Sequence, residues 1–243
     1  MILWSMAIIL ISLSFGFSVK QSRQLKCSGV KVDITDSIQE SFIRSNDIRQ
    51  WVNRNYPSIF GQQLGSLDLR KIEDGLRKLQ SIEVVEVYPN VDDNGVKSFG
   101  VLVVKIKQRK PVFRVDGSGH VFYMDKFGKV IDWSPRFTPR VLIVGGVVSA
   151  DFARKKLLPL INFINANDFW SAQIDQIYVN AVGDLSMIPR VGEQLILFGD
   201  PEDFQIKFRN LKALYTEGFK NGGWSIYKTI NVGFHNQIVC TKK

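Results

Sequence analysis

The sequence predicts an α+β fold: two globular segments behind an apolar N-terminal stretch. Three observations predict it. Residues Met1 to Val19 carry no charged side chain. Alternating β-branched runs and apolar stripes of helical period then interleave along the chain. The tail ends on a long period-two alternation. A composition of 45% hydrophobic and 23% charged residues fits one or two globular domains and argues against wholesale disorder. The expected layout is an anchor at 1–19, a first domain at 27–108 and a second at 109–243.

The stretch MILWSMAIILISLSFGFSV is about 28 Å long as a helix, close to the ~30 Å hydrocarbon core of a bilayer. It is expected to be a transmembrane signal anchor, with Trp4 at the interface and Ile8, Leu10 and Phe15 in the lipid. A cleaved signal peptide is the alternative. The run exceeds the usual h-region of roughly 7–15 residues and shows no A-x-A-like site. Lys20, Arg23 and Lys26 follow the stretch, so the positive-inside rule alone would place the rest in the cytoplasm. Export is inferred from the domains that follow.

In the first domain, Gly29 to Ile34 alternates as a half-buried strand does. Asn46-Asp47 offers a cap for a helix with Ile48, Trp51 and Val52 on one face, ending at Tyr56-Pro57. Asp68 caps a second helix, with Leu69, Ile72, Leu76 and Leu79 on one face. Ile82 to Tyr88 is a strand bounded by Pro89. Asp92-Asp93-Asn94-Gly95 is a turn, and Gly100 to Lys107 a second strand of that hairpin. The order β-α-α-β-β calls for a small sheet with two helices on one face.

In the second domain, Val121–Met124 and Lys129–Trp133 flank a turn at Asp125-Lys126-Phe127-Gly128. Arg140–Val144 is a strand ending at Gly145-Gly146. Asp151 is expected to cap a helix running to about Asn167, kinked or split at Pro159. Strands follow at Gln173–Val179, Asp184–Ile188 and Gln194–Phe198. A last helix starts at Pro201 with Asp200 as cap, and Phe204, Phe208, Leu211 and Tyr215 face the core. From Trp224 to Cys240 the even positions are mostly apolar and the odd ones mostly polar. A run that long exceeds a typical strand, so a break or bulge is expected at Gly233 or Asn236.

No chemistry stands out. His120 and His235, the two histidines, sit in no triad or metal motif. Asp116-Gly117-Ser118-Gly119 lacks the Lys-Ser/Thr of a phosphate loop and reads as a hairpin turn. Cys27 and Cys240 are too scattered, with those histidines, for a metal site. A net charge of +9 comes with no nucleic-acid motif and suits a basic face near an anionic membrane. No catalytic residue, metal, cofactor, nucleic acid or small-molecule substrate is expected.

The chain resembles the FtsQ/DivIB family of bacterial cell-division proteins. The resemblance rests on Val84-Val85-Glu86-Val87-Tyr88-Pro89, on Val103 to Val112 with Gln108 where the family usually has Glu, and on Tyr123 to Gly128. Thr138 to Gly145, Gln173 to Gly199 and Lys207-Phe208 add to it. It implies a POTRA-like first domain and an FtsQ-type second domain with an edge strand at the C-terminus. It further implies a single-pass inner-membrane protein, its globular part periplasmic and enriched at the septum. Such a protein is non-enzymatic and binds FtsB/FtsL-like division proteins by strand addition at Ile230 to Cys240. The partner-binding side chains implied are Tyr227, Ile230, Val232, Phe234, Ile238 and Cys240. A POTRA-type periplasmic chaperone or secretion module is the alternative.

Overall fold

The computed structural model describes residues 24–35, 42–93, 97–117, 119–220, 222–234 and 237–243. The expected anchor, with Trp4, Ile8, Leu10 and Phe15, lies outside them. Among the described residues no helix is long and apolar enough to cross a membrane. The chain divides between Arg109 and Lys110 into two compact units.

The first unit has the order β-α-α-β-β. Strand β1 (Cys27–Ile34) is followed by helices α1 (Ser45–Asn55) and α2 (Leu69–Arg77), then β2 (Ile82–Asp93) and β3 (Ser98–Gln108). The sheet order is β1-β3-β2, with β1 parallel and β2 antiparallel to β3. Ile48 and Val52 of α1 and Ile72 and Leu76 of α2 pack on Leu102, Val104 and Ile106 of β3. The apolar stripes therefore mark the buried faces. Asp68 caps α2 by accepting from the Lys71 N–H at 3.1 Å. Asp68→Ala is expected to lower stability by about 1 kcal/mol, the usual worth of such a cap, measured by urea denaturation. Helix α1 starts earlier than expected, with Arg44 as N-cap, and the Asp47 carboxylate accepts from the Arg44 N–H. Pro89 does not end β2, which pairs on to Asp93. Because β2 is an edge strand, the missing proline N–H interrupts no ladder on its outer side.

In the second unit the described residues form a nine-stranded sheet in the order β12-β11-β10-β9-β8-β7-β4-β5-β6. The strands are β4 (Pro111–Gly117), β5 (His120–Asp125), β6 (Val130–Asp132), β7 (Leu142–Gly146), β8 (Ile174–Val179), β9 (Leu185–Pro189), β10 (Leu195–Gly199), β11 (Tyr227–Asn231) and β12 (Val239–Lys242). β4–β7, β7–β8 and β10–β11 are parallel, and the other pairs are antiparallel. Strand β4 is absent from the sequence reading. The Asp116–Gly119 segment does join a hairpin, in which Gly117 faces His120. In the next turn Asp125 accepts from the Phe127 and Lys129 N–H groups, and Gly128 takes φ +75.

The helices supply one face of the core. Helix α3 (Ala150–Phe152), capped by Ser149 rather than Asp151, opens into a π turn at Ala153–Leu157 and continues as α4 (Leu158–Asn165). The π turn resets the hydrogen-bond ladder, so Pro159 stands in a first turn where its missing N–H is harmless. Asn167 then caps a short helix α5 (Asp168–Gln173), which the sequence reading does not contain. Helix α6 begins later than expected, at Phe204, and runs to Ala213. Asp200 instead accepts from the Glu202 N–H in the preceding turn, and Asp203 takes φ 48. Leu160, Ile161, Trp170, Phe208, Leu211 and Tyr215 pack on Phe113, Val144, Ile177, Phe198 and Ile230.

Candidate functional site

A sheet edge presents unpaired N–H and C=O groups, and proteins normally blunt it. The two units have four such edges, treated differently. On β1, Arg49 of α1 donates to the Val30 carbonyl at 3.2 Å. On β2, the Val87 N–H donates to Glu73 at 2.8 Å, Pro89 has no N–H, and the Val91 N–H is taken by the Asn90 side chain. These three positions share one parity, so the outer N–H row of β2 is closed from Val87 to Val91. Strand β6 is only three residues long. Strand β12 has four residues, and among the described residues no strand pairs with its outer side.

Main-chain bonds fix which groups of β12 face outward. The Val232 N–H donates to the Leu197 carbonyl, toward β10, and the Lys243 N–H to the Ile226 carbonyl, toward β11. Alternation then points the backbone of Val239 and Thr241 into the β11 ladder and that of Cys240 and Lys242 outward. The break between the two strands has a local cause. Asn231 Oδ1 accepts from the Gly233 N–H at 2.9 Å and turns the chain out of the sheet. One long alternating run thus becomes an interior strand and an edge strand. Asn236 and His235 lie outside the described residues.

The open edge is therefore Val239–Lys242 and not the whole run from Ile230. Ile230 is 0% exposed and Val232 2%, both sealed in the core. Tyr227, Ile238 and Cys240 are half-buried against that core. Phe234, 49% exposed, is the member of the expected set that stands free of it. Partial burial against the core pushes the Cys240 thiol pKa up. Cys27 is likewise a free, buried thiol. Val239, Thr241 and Lys242, which are not among the side chains named from the sequence, are exposed. Parity carries the signal for exposure: where the apolar even positions form the core, Val239 and Thr241 stand outside it.

The surroundings of the edge are basic. Lys228, Lys242 and Lys243 are exposed, and Lys243 pairs with Glu193 at 2.6 Å. Lysines on an edge oppose pairing with a second copy of the same strand.

A helix-backed β-α-α-β-β unit followed by a wide mixed sheet defines a two-domain chain of the POTRA-bearing class. Residues 25–95 match the POTRA-like domain. Residues 110–241 match the family described as FtsQ/DivIB, C-terminal related. No curated protein matches the chain. The chain belongs to the FtsQ/DivIB family and is a cell-division protein of that kind. These families are generally non-enzymatic, and FtsQ/DivIB proteins act in divisome protein–protein interactions.

Proposed function

We propose that this chain is a non-enzymatic, single-pass divisome protein that captures FtsB/FtsL-like membrane partners on β12 and so helps control septal wall synthesis. Its globular part is extracytoplasmic, with Met1–Val19 as the anchor and the two domains at 27–108 and 109–243. The observation that supports the reading is the contrast among edges: side chains occupy main-chain groups on β1 and β2, β6 has three residues, and the outward groups of Cys240 and Lys242 on β12 have no strand beside them. A partner segment adds as a tenth strand, bonded through the outward groups of Cys240 and Lys242. Val239 and Thr241 contact it from one face, Phe234 flanks it, and Lys242 favours an acidic residue opposite.

The test is co-purification of FtsB/FtsL-like partners with the full chain from membranes. Lys242→Pro removes an outward N–H while leaving the β11 ladder intact. It is expected to lower partner recovery at least tenfold, whereas Lys242→Ala, which keeps the N–H, loses much less. Recovery unchanged in a folded Lys242→Pro chain would rule out strand addition here. A proline at Val232 is no substitute, because that N–H belongs to the β10–β11 ladder. Depletion of the protein is expected to leave cells with incomplete septa.

A further inference from the structure

The second unit holds a cleft of about 720 Å³, far along the sheet from β12. Strands β8, β9, β10 and β11 separate β7, at its wall, from that edge. The lining combines two chemistries. Aliphatic and proline side chains, among them Pro139, Leu142 and Ile174, make most of the wall. Three arginines, Arg114, Arg140 and Arg190, supply the charge, and no aspartate or glutamate lines the cleft. In a chain with 23 acidic residues, three arginines lining one space without a carboxylate among the lining residues is a specific arrangement.

The arginines are differently held. Arg114, on β4, has a side chain only 21% exposed, and Asp116 binds its Nη2. Its Nε is buried with no hydrogen-bond partner. Arg190 is held from outside the cleft by Asp175, with Nε 3.3 Å from Oδ1. Among the described residues Arg140 makes no ion pair, and its side chain is exposed. Two of the arginines are thus tethered by carboxylates outside the lining, and the third is uncommitted. An incoming carboxylate meets arginine side chains, whose fork geometry suits bidentate binding. Asn165 and Ser171 add neutral polar groups to the lining.

We propose that this cleft binds a short acidic peptide segment that also carries apolar side chains. Size and lining select this occupant. The volume lies in the range of small-molecule and peptide pockets, and an inorganic oxyanion would leave the aliphatic wall wet. The site is separate from the strand-addition edge, so both can be filled at once.

The probe is a blocked pentapeptide alternating glutamate and leucine, titrated calorimetrically into the full chain in neutral detergent micelles. Saturable binding is expected, at least tenfold weaker when glutamine replaces glutamate in the peptide. Arg140→Gln removes a charge at an exposed side chain that makes no ion pair. It is expected to weaken binding about threefold, and the double variant Arg140→Gln, Arg190→Gln at least tenfold. Lys242→Pro is expected to leave it unchanged. Equal affinity for the glutamine peptide, no loss in the folded double variant, or inorganic phosphate binding as tightly as the peptide overturns the proposal. Loss in Lys242→Pro also overturns it, since the probe would then be reading the sheet edge.

Discussion

Replacing Trp170 by alanine is expected to lower the stability of the second unit by about 3–5 kcal/mol, the range for emptying a large aromatic site in a core. Trp170 is 2% exposed and central to a run of ring contacts. Its ring lies 4.6 Å from Phe208 and 4.8 Å from Phe169, with Tyr215 at 6.2 Å. Tyr215 continues to Trp224 at 4.8 Å, and Phe219 stacks on Tyr227 of β11 at 5.8 Å. The loss is a large fraction of a domain stability of roughly 5–15 kcal/mol. The effect reaches function through position. The aromatic run supports β11, β11 supports β12, and partner recovery is expected to fall although Trp170 touches no edge group. Urea denaturation followed by circular dichroism gives the stability, and co-purification gives the functional readout. A midpoint close to that of the parent chain would show that the rings are not the main brace of β11.

The helix-backed first unit was legible because its signals are local. A stripe at i, i+3 and i+4 identifies the buried face of α1, and Asp68 marks the start of α2 whatever packs around them. The misreadings arise where a non-local partner changes what a residue means. Pro89 normally ends a strand, yet on an outer edge it interrupts nothing. Asp200 has the chemistry of a cap, yet Lys207 Nζ at 3.0 Å and the Glu202 N–H hold it in the turn before the helix. Strand β4 was passed over because Arg114 and Asp116 break its apolar run. Both alternate with the core residues Phe113 and Val115; Arg114 lines the cleft and Asp116 pairs with it. The candidate edge was half legible. Alternation located the two strands, but which of them is interior depends on β10 pairing with β11, a contact that spans more than 30 residues. The arginine cleft was not legible, since Arg114, Arg140 and Arg190 converge only when β4, β7 and β9 are assembled.

The second large effect separates two adjacent glycines. Gly146→Ala is expected to destabilise the second unit by about 3 kcal/mol, from left-handed backbone strain combined with overpacking. Gly146 has φ +96, and a methyl group there would overlap the Val179 carbonyl oxygen, with Val179 C at 2.9 Å and N at 3.0 Å. The obstacle is backbone of the neighbouring strand, where Gly146 pairs with Val179 and the Val147 N–H donates to the Val179 carbonyl. Relief therefore requires β7 and β8 to separate, and no side-chain rotation supplies it. Gly145→Ala is the control. A methyl group at Gly145 meets only Tyr178 Cδ2 at 3.6 Å and the Asp116 carbonyl oxygen at 3.7 Å, ordinary van der Waals contacts. It is expected to change stability by less than about 1 kcal/mol, as substitutions without strain or cavity do. Denaturation midpoints of the two variants compare them directly. Equal midpoints would mean that the β7–β8 seam yields easily. A gap of the expected size would make that seam a rigid joint between the cleft beside β7 and the strands leading to the β12 edge.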